Sequence, residues 1–191
     1  MARAHFIGAP VDAKTLKLAA GISAPRAALW APLVTAAMDE FGVVTPVQQA
    51  AFIVQWAHET AGFTLLREVW GPTAAQLRYE GRVDLGNTQP GDGKRFMGRG
   101  LPQLTGRANY TQASAALGVD LVKNPQLLEQ PMLAARVAGW FWKQNGLNRY
   151  ADRGDFLGLS IRINGRNKDG LPNGWDARKA LWARAKQALG V

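Results

Sequence analysis

Apolar residues recur along most of this chain at the three-to-four spacing of a helix, and the breaks between such stretches fall on glycine and proline. Over residues 32–41, Leu33, Ala37, Met38 and Phe41 share one face and Gly42 supplies the stop. The preceding residues 25–31 read as a separate turn, because Pro32 lacks the N–H that a continuing helix would use. Thr45 and Pro46 form an N-cap followed by a first-turn proline, opening a helix through Ala50, Ile53, Val54 and Ala57 to about Thr60, with Gly62 as terminator. A short helix is predicted over 73–80, closed by Gly81. Helices resume over 108–117, 125–130, 132–144, 156–163 and 175–189, and PVDAKTLKLAAGIS near the N-terminus reads as one more. Trp56, Trp140 and Trp142 fall within these apolar patterns and are expected in the core.

Residues 81–106 break the texture, with seven glycines, two prolines and few aliphatic side chains, so they read as a loop with a small hairpin through 97–105. A long loop in a helical domain is where function is sought first. The fold class predicted is mainly α, with this glycine-rich loop and hairpin lining a cleft. A chain of 191 residues fits one domain and one hydrophobic core. Residues 1–31 are expected to form a helical extension packed on that domain, residues 1–191 to make a single domain, and no segment is long enough for a separate binding domain.

Charge narrows the partners. Lys and Arg number 23 and Asp and Glu 14, a net +9 that favours polyanions: nucleic acid, anionic lipid or bacterial cell wall. Nucleic-acid binding predicts basic residues gathered on one helix face, whereas here they are spread from Arg3 to Lys186, so no nucleic acid is expected. The absence of cysteine excludes disulfides, thiolate metal sites and a Cys nucleophile. Residues 1–10 hold no apolar stretch of signal-peptide length, and no run approaches the roughly 20 apolar residues of a membrane span. Synthesis in the cytoplasm as a soluble chain is the expectation.

The chemistry candidates are carboxylates. The chain has five glutamates, and Glu59, Glu68 and Glu80 fall within one 22-residue window at the edge of the glycine-rich loop. Glu59 ends an apolar helix, where partial burial is expected to favour the protonated form a general acid needs. Glu68 and Glu80 follow in polar sequence beside Arg67, Arg78 and Arg82, surroundings that favour an ionised base. Two carboxyl groups in unequal environments are what glycoside hydrolysis requires. The bland alternative is a set of surface carboxylates in Arg pairs. His58 adjoins Glu59, but HEXXH would need a histidine at Gly62, and the other histidine is His5, so no metal site is expected. GDGKRFMGRG lacks the spacing of a phosphate loop.

AHETAGF, YEGRVDLGNTQPGDGKRFMGRGLPQLTGRANY, NPQLLEQPMLAARVAGWFW and ING together resemble glycoside hydrolase family 19, in its phage and prophage endolysin branch, over about residues 32–189. The resemblance implies a lysozyme-like helical fold and an inverting mechanism without cofactor, in which the two carboxyl groups stand roughly 6.5–9.5 Å apart. It assigns Glu59 as general acid. Glu80 matches the position of the base in the chitinases, and Glu68 matches a second catalytic glutamate of phage relatives, so both stay candidates. Gln103, Thr105, Asn109 and Asn164 match sugar-binding or water-positioning residues, Arg178 matches an arginine beside the catalytic base, and Gly98 and Gly100 would let the backbone approach the sugar. Trp70 or Trp175 is a candidate for stacking on a sugar face. The chain departs from the plant enzymes in having no cysteine, a shorter loop between Glu80 and Gly98, and Ala108 in place of a tyrosine.

The function implied is a monomeric endolysin that hydrolyses the glycan strands of peptidoglycan, waiting in the host cytoplasm until a holin releases it to the wall. The alternatives are a chitinase acting on N-acetylglucosamine polymers and a non-catalytic basic binder of cell wall or nucleic acid. The basic, amphipathic last helix adds an expected contact with an anionic outer membrane.

Overall fold

The computed structural model describes residues 8–191, so the readings of His5 and of the first residues of the single domain lie outside the described residues. The helices are α1 (Ala13–Ala20), α2 (Ala24–Phe41), α3 (Pro46–Glu59), α4 (Ala74–Leu77), α5 (Asp92–Arg95), α6 (Arg107–Leu117), α7 (Pro131–Gln144), α8 (Asn148–Asp152), α9 (Phe156–Asn164) and α10 (Trp175–Leu189), with 3₁₀ turns at Val83–Leu85 and Pro125–Glu129. The mainly α fold class expected from the sequence is observed.

Helix α3 is the axis of the molecule. Its start is held by a full capping box, in which Thr45 accepts from the Gln48 N–H while the Gln48 side chain accepts from the Thr45 N–H. Every residue from Gln48 to Ala57 is buried, as expected of a helix surrounded on all sides. Helices α1, α8 and α10 pack around it. Its C-terminus therefore delivers Glu59 to the surface from a rigid base. The chain then turns sharply: Ala61, Gly62 and Phe63 all take positive φ (49°, 72° and 60°), and the buried Thr60 hydroxyl accepts from the Phe63 N–H at 2.9 Å.

Four expectations about the fold are corrected. Helix α2 is continuous through Pro32 rather than broken before it. Trp30, Ala31, Val34, Ala37 and Met38 are all buried along that helix, and their packing on both sides of the proline outweighs one lost backbone bond. The hairpin over 97–105 shrinks to isolated bridges: Arg99 pairs antiparallel with Leu104 on one side and with Arg67 on the other, and no longer strand occurs among the described residues. Glycines and Pro102 leave that segment too few side chains and donors for a ladder. The glycine-rich stretch is also less irregular than expected, since it carries α5 and a 3₁₀ turn.

The core likewise has two clusters rather than one. The larger gathers Trp30, Phe52, Trp56 and Trp142 from α2, α3 and α7. The smaller gathers Phe96, Leu104, Tyr110, Leu128, Val137 and Trp140 behind the glycine-rich loop. Helix α7 contributes Ala134, Ala138 and Trp142 to the first and Leu133, Val137 and Trp140 to the second, so it is the shared wall that fixes one relative to the other. The N-terminal segment is no loose appendage: α1 buries Leu16, Ala19 and Ala20 and packs on α2, α3 and α10.

Candidate active site

The Glu59 carboxylate, 18% exposed, receives a hydrogen bond from Nη2 of Arg178, whose side chain is wholly buried. The same guanidinium donates through Nη1 to Oε1 of Gln55, one turn back on α3, and through Nε to the Asn173 carbonyl at 3.0 Å. Asn164, at the end of α9, accepts from the Asn173 N–H at 2.8 Å. Asn164 and Arg178 thus grip one residue from both sides and close the 165–174 loop over the end of α3. His58 lies against Gly174, and burial first, then the Arg178 charge, pushes its imidazolium form down in stability.

Glu68 sits where the chain returns from the turn. Its Oε1 accepts from the Gly98 N–H at 2.6 Å, its Oε2 from Nε2 of Gln76 at 3.0 Å, and its own N–H donates to the Gly98 carbonyl at 3.0 Å. A Cβ on Gly98 would stand 3.4 Å from that carboxylate and 3.1 Å from Oε1 of Gln103, so the missing side chain leaves both in place. A groove of about 750 Å³ opens here, and Arg67, Glu68, Trp70, Lys94, Met97 and Glu129 are among its walls. Trp70 tilts against Tyr79, 6.4 Å between ring centres, and the Tyr79 phenol is pushed up by burial and by the Glu68 charge. Trp175, the other candidate for stacking on sugar, instead stacks on Phe156.

Glu80 is placed differently. It is exposed, and its two oxygens accept from the N–H groups of Gly91 (2.6 Å) and Gly93 (2.8 Å), at the start of α5. Among the described residues neither Glu68 nor Glu80 is in an Arg pair: Arg67 reaches Glu129 at 3.6 Å and Arg82 bonds Asp84. The surface ion-pair alternative for these two carboxylates is therefore overturned.

The remaining candidates brace the loop. Gln103 donates to the carbonyls of Leu65 and Gly100, both at 3.1 Å. Thr105 donates to the Gln103 carbonyl at 3.0 Å, and Asn109 donates to that of Thr105 at 2.7 Å. Gly100 faces away from the groove: its φ is +71°, and a Cβ there would meet Cγ1 of Val137 at 2.8 Å.

Two partners were missed by sequence reasoning. Gln55, fully buried, touches Arg178, and the only signal was an amide inside an apolar helix. Arg99, the middle residue of GRG, is 6% exposed and donates to Glu129 (2.8 Å), the Arg95 carbonyl (2.8 Å) and the Tyr110 hydroxyl (3.1 Å). Tyr110 in turn donates to the Met97 carbonyl at 2.7 Å, and burial pushes its phenol up to about 12. This tie fixes the segment that presents the Gly98 N–H to Glu68.

A protein from Haemophilus influenzae described as a glycosyl hydrolase family 19 domain-containing protein is 29% identical over 176 residues, covering 78% of this chain and 84% of its own. The acidic 27 kDa endochitinase of Solanum lycopersicum is 44% identical over 94 residues, 49% of this chain but only 35% of the plant protein. Among solved structures, a bacterial family 19 chitinase superposes with a TM-score of 0.73 at 26% identity, covering 96% of each chain. Chitinase C from Streptomyces griseus superposes at 0.72, with 23% identity over all of this chain and 79% of its own, which speaks to the fold. The glycoside hydrolase 19 family model, described as chitinase class I, matches residues 31–152. With that match spanning well over half its length, the chain belongs to glycoside hydrolase family 19.

Proposed function

We propose that this protein cleaves the glycan strands of bacterial peptidoglycan as an endolysin, with Glu59 as general acid and Glu68 as general base. The observation that carries the catalytic assignment is that Glu59 and Glu68 are each held in place by groups from elsewhere in the fold, and the acid and base roles follow the family resemblance. Glu59 projects from the end of a fully buried helix onto a buried guanidinium, and Glu68 lies in the groove accepting two N–H bonds. In the proposed cycle Glu59 protonates the glycosidic oxygen as the bond to the anomeric carbon breaks. Glu68 takes a proton from a water that attacks that carbon from the opposite face, which inverts the configuration. The carboxylate left on Glu59 is received by Arg178. Glu80, tied to the start of α5, serves the loop rather than the reaction.

The substrate reading rests on charge. In the groove walls Lys94 and Arg67 are balanced by Glu68 and Glu129, so the excess lies in the chain as a whole, at net +9, while peptidoglycan carries stem-peptide carboxylates that chitin lacks. The absence of cysteine leaves the fold indifferent to the redox state of the compartment, as lysis from within a host would require. A chitinase is the second reading, favoured by the names of the plant and bacterial relatives.

Mass spectrometry of the products from purified peptidoglycan and from N-acetylglucosamine hexamer separates the two. New reducing-end amino sugars from peptidoglycan are expected, and proton NMR of the freshly formed ends reads the α anomer that inversion of a β linkage predicts. Cleavage of the hexamer with intact peptidoglycan strands would replace this reading by the chitinase.

A further inference from the structure

The guanidinium of Arg178 is buried, and a buried cation needs both a counter-charge and a full set of acceptors. Among the described residues its carboxylate partner is Glu59, while its other acceptors, Gln55 and the Asn173 carbonyl, are neutral. The chain of bonds continues inward. Nε2 of Gln55 donates to Oγ of Ser160 at 2.8 Å, and that hydroxyl donates to the Phe156 carbonyl at 2.8 Å. Gln55 and Ser160 are both fully buried.

The direction of this relay is set from both ends. The Phe156 carbonyl only accepts, so Ser160 spends its proton there and must accept from its other neighbour. Arg178 only donates, so it requires a carbonyl oxygen. An amide at position 55 is the group that meets both demands, with oxygen toward Arg178 and NH₂ toward Ser160. A carboxylate there would also accept from Arg178, but it would set lone pairs against Ser160 and add a second negative charge.

We infer that Gln55 is a positioning residue for the general acid: it locks the Arg178 guanidinium and, being neutral, leaves Glu59 as the counter-ion of that buried charge. This rests on the reading of Glu59 as the acid. The groups that face the Glu59 carboxyl are Arg178 from α10 and His58 beside it on α3. While Glu59 holds its proton, the Arg178 charge lacks its partner. When the O–H bond of Glu59 breaks and the proton passes to the leaving oxygen, the carboxylate formed meets the guanidinium already aimed at it. The pair seen in the substrate-free structure is restored at the proton-transfer step, where it lowers the barrier.

The test uses the whole protein with soluble, peptide-free peptidoglycan glycan strands, and N-acetylglucosamine hexamer in parallel. Gln55→Glu keeps an acceptor for Arg178 but compensates its charge at all times. It is expected to lower kcat about tenfold with KM changed less than twofold, and to move the alkaline limb of the pH profile up by about one unit. Ser160→Ala removes the inner anchor without adding charge. It is expected to lower kcat several-fold at unchanged KM, with the pH limb in place. Circular dichroism melts establish which variants fold; should Gln55→Glu not fold, Ser160→Ala decides by kcat alone. Wild-type kcat in Ser160→Ala, or a folded Gln55→Glu with the wild-type pH profile, overturns the inference. Glu59→Gln run alongside keeps the two failures apart. If it stays active, the acid assignment falls. If it is inactive while the Gln55 and Ser160 variants behave as wild type, only the positioning role falls.

Discussion

Glu68 and Glu80 each accept two N–H bonds, and what distinguishes them is whose N–H groups these are. Those of Glu80 belong to Gly91, the N-cap of α5, and Gly93 in its first turn, so this carboxylate works as a helix cap borrowed from a distant residue. Those of Glu68 belong to the Gly98 backbone and the Gln76 side chain, from two different segments of the chain, while Glu68 itself lines the groove. Glu80→Gln is therefore expected to cost stability, about 0.5–2 kcal/mol as for a lost cap, and to retain most of the activity. Glu68→Gln and Glu59→Gln are each expected to lose about 10²- to 10⁴-fold in kcat; Glu68→Gln is expected to melt near wild type, whereas Glu59→Gln, which leaves the buried Arg178 without its counter-charge, is expected to fold but melt lower. Turbidity loss of a peptidoglycan suspension and thermal melts check all three. A Glu80→Gln protein that melts as wild type but is as inactive as Glu59→Gln would return the base to Glu80. The roles of Arg178 and Asn164 follow the same logic, since both hold Asn173 and so seat the loop that closes over Glu59.

At the level of elements, the 97–105 segment does its work through backbone rather than side chains. Its single-residue bridges to Arg67 and Leu104 aim the Gly98 N–H at Glu68, and its far side packs on α7. Gly100 joins the two requirements, because its φ of +71° and the 2.8 Å approach of a Cβ to Val137 both exclude a side chain. Gly100→Ala is expected to cost about 2–4 kcal/mol from strain and overpacking together, and to lower activity by displacing Gly98. Gly42→Ala is the control, with φ of +76° but open space around the new methyl group, and about 1 kcal/mol is expected there. Equal melting temperatures for the two variants would show that contact with α7 contributes nothing. The continuity of α2 through Pro32 belongs to the same scale: propensity argues for a break, and burial of the flanking turns overrides it.

The +9 charge is spread along the whole sequence, with Arg99 and Arg178 buried, and the last helix shows how little of it is free to act with apolar residues. The seam of α10 is already packed, with Leu181, Trp182 and Leu189 against the larger core cluster and Trp182 stacked on Phe156 at 4.6 Å. Lys179 pairs with Asp176, and Lys186 lies over Trp182. Lys179→Glu combined with Lys186→Glu is thus expected to leave hydrolysis of isolated peptidoglycan unchanged at moderate salt, and to leave killing of intact cells unchanged too. Loss of killing alone would assign this helix to an anionic membrane. Most helices, their caps and the three candidate glutamates were legible in the sequence, because periodicity, capping and residue type are local properties that a few neighbouring positions carry. The division of labour among those glutamates was not. It depends on Arg178 reaching Glu59 across 119 positions and Gln55 across 123, and on Gly98 meeting Glu68 across 30. Only the packing of α10 on α3 and of the glycine-rich loop on α7 brings those groups within hydrogen-bond reach, and no spacing along the chain encodes such contacts.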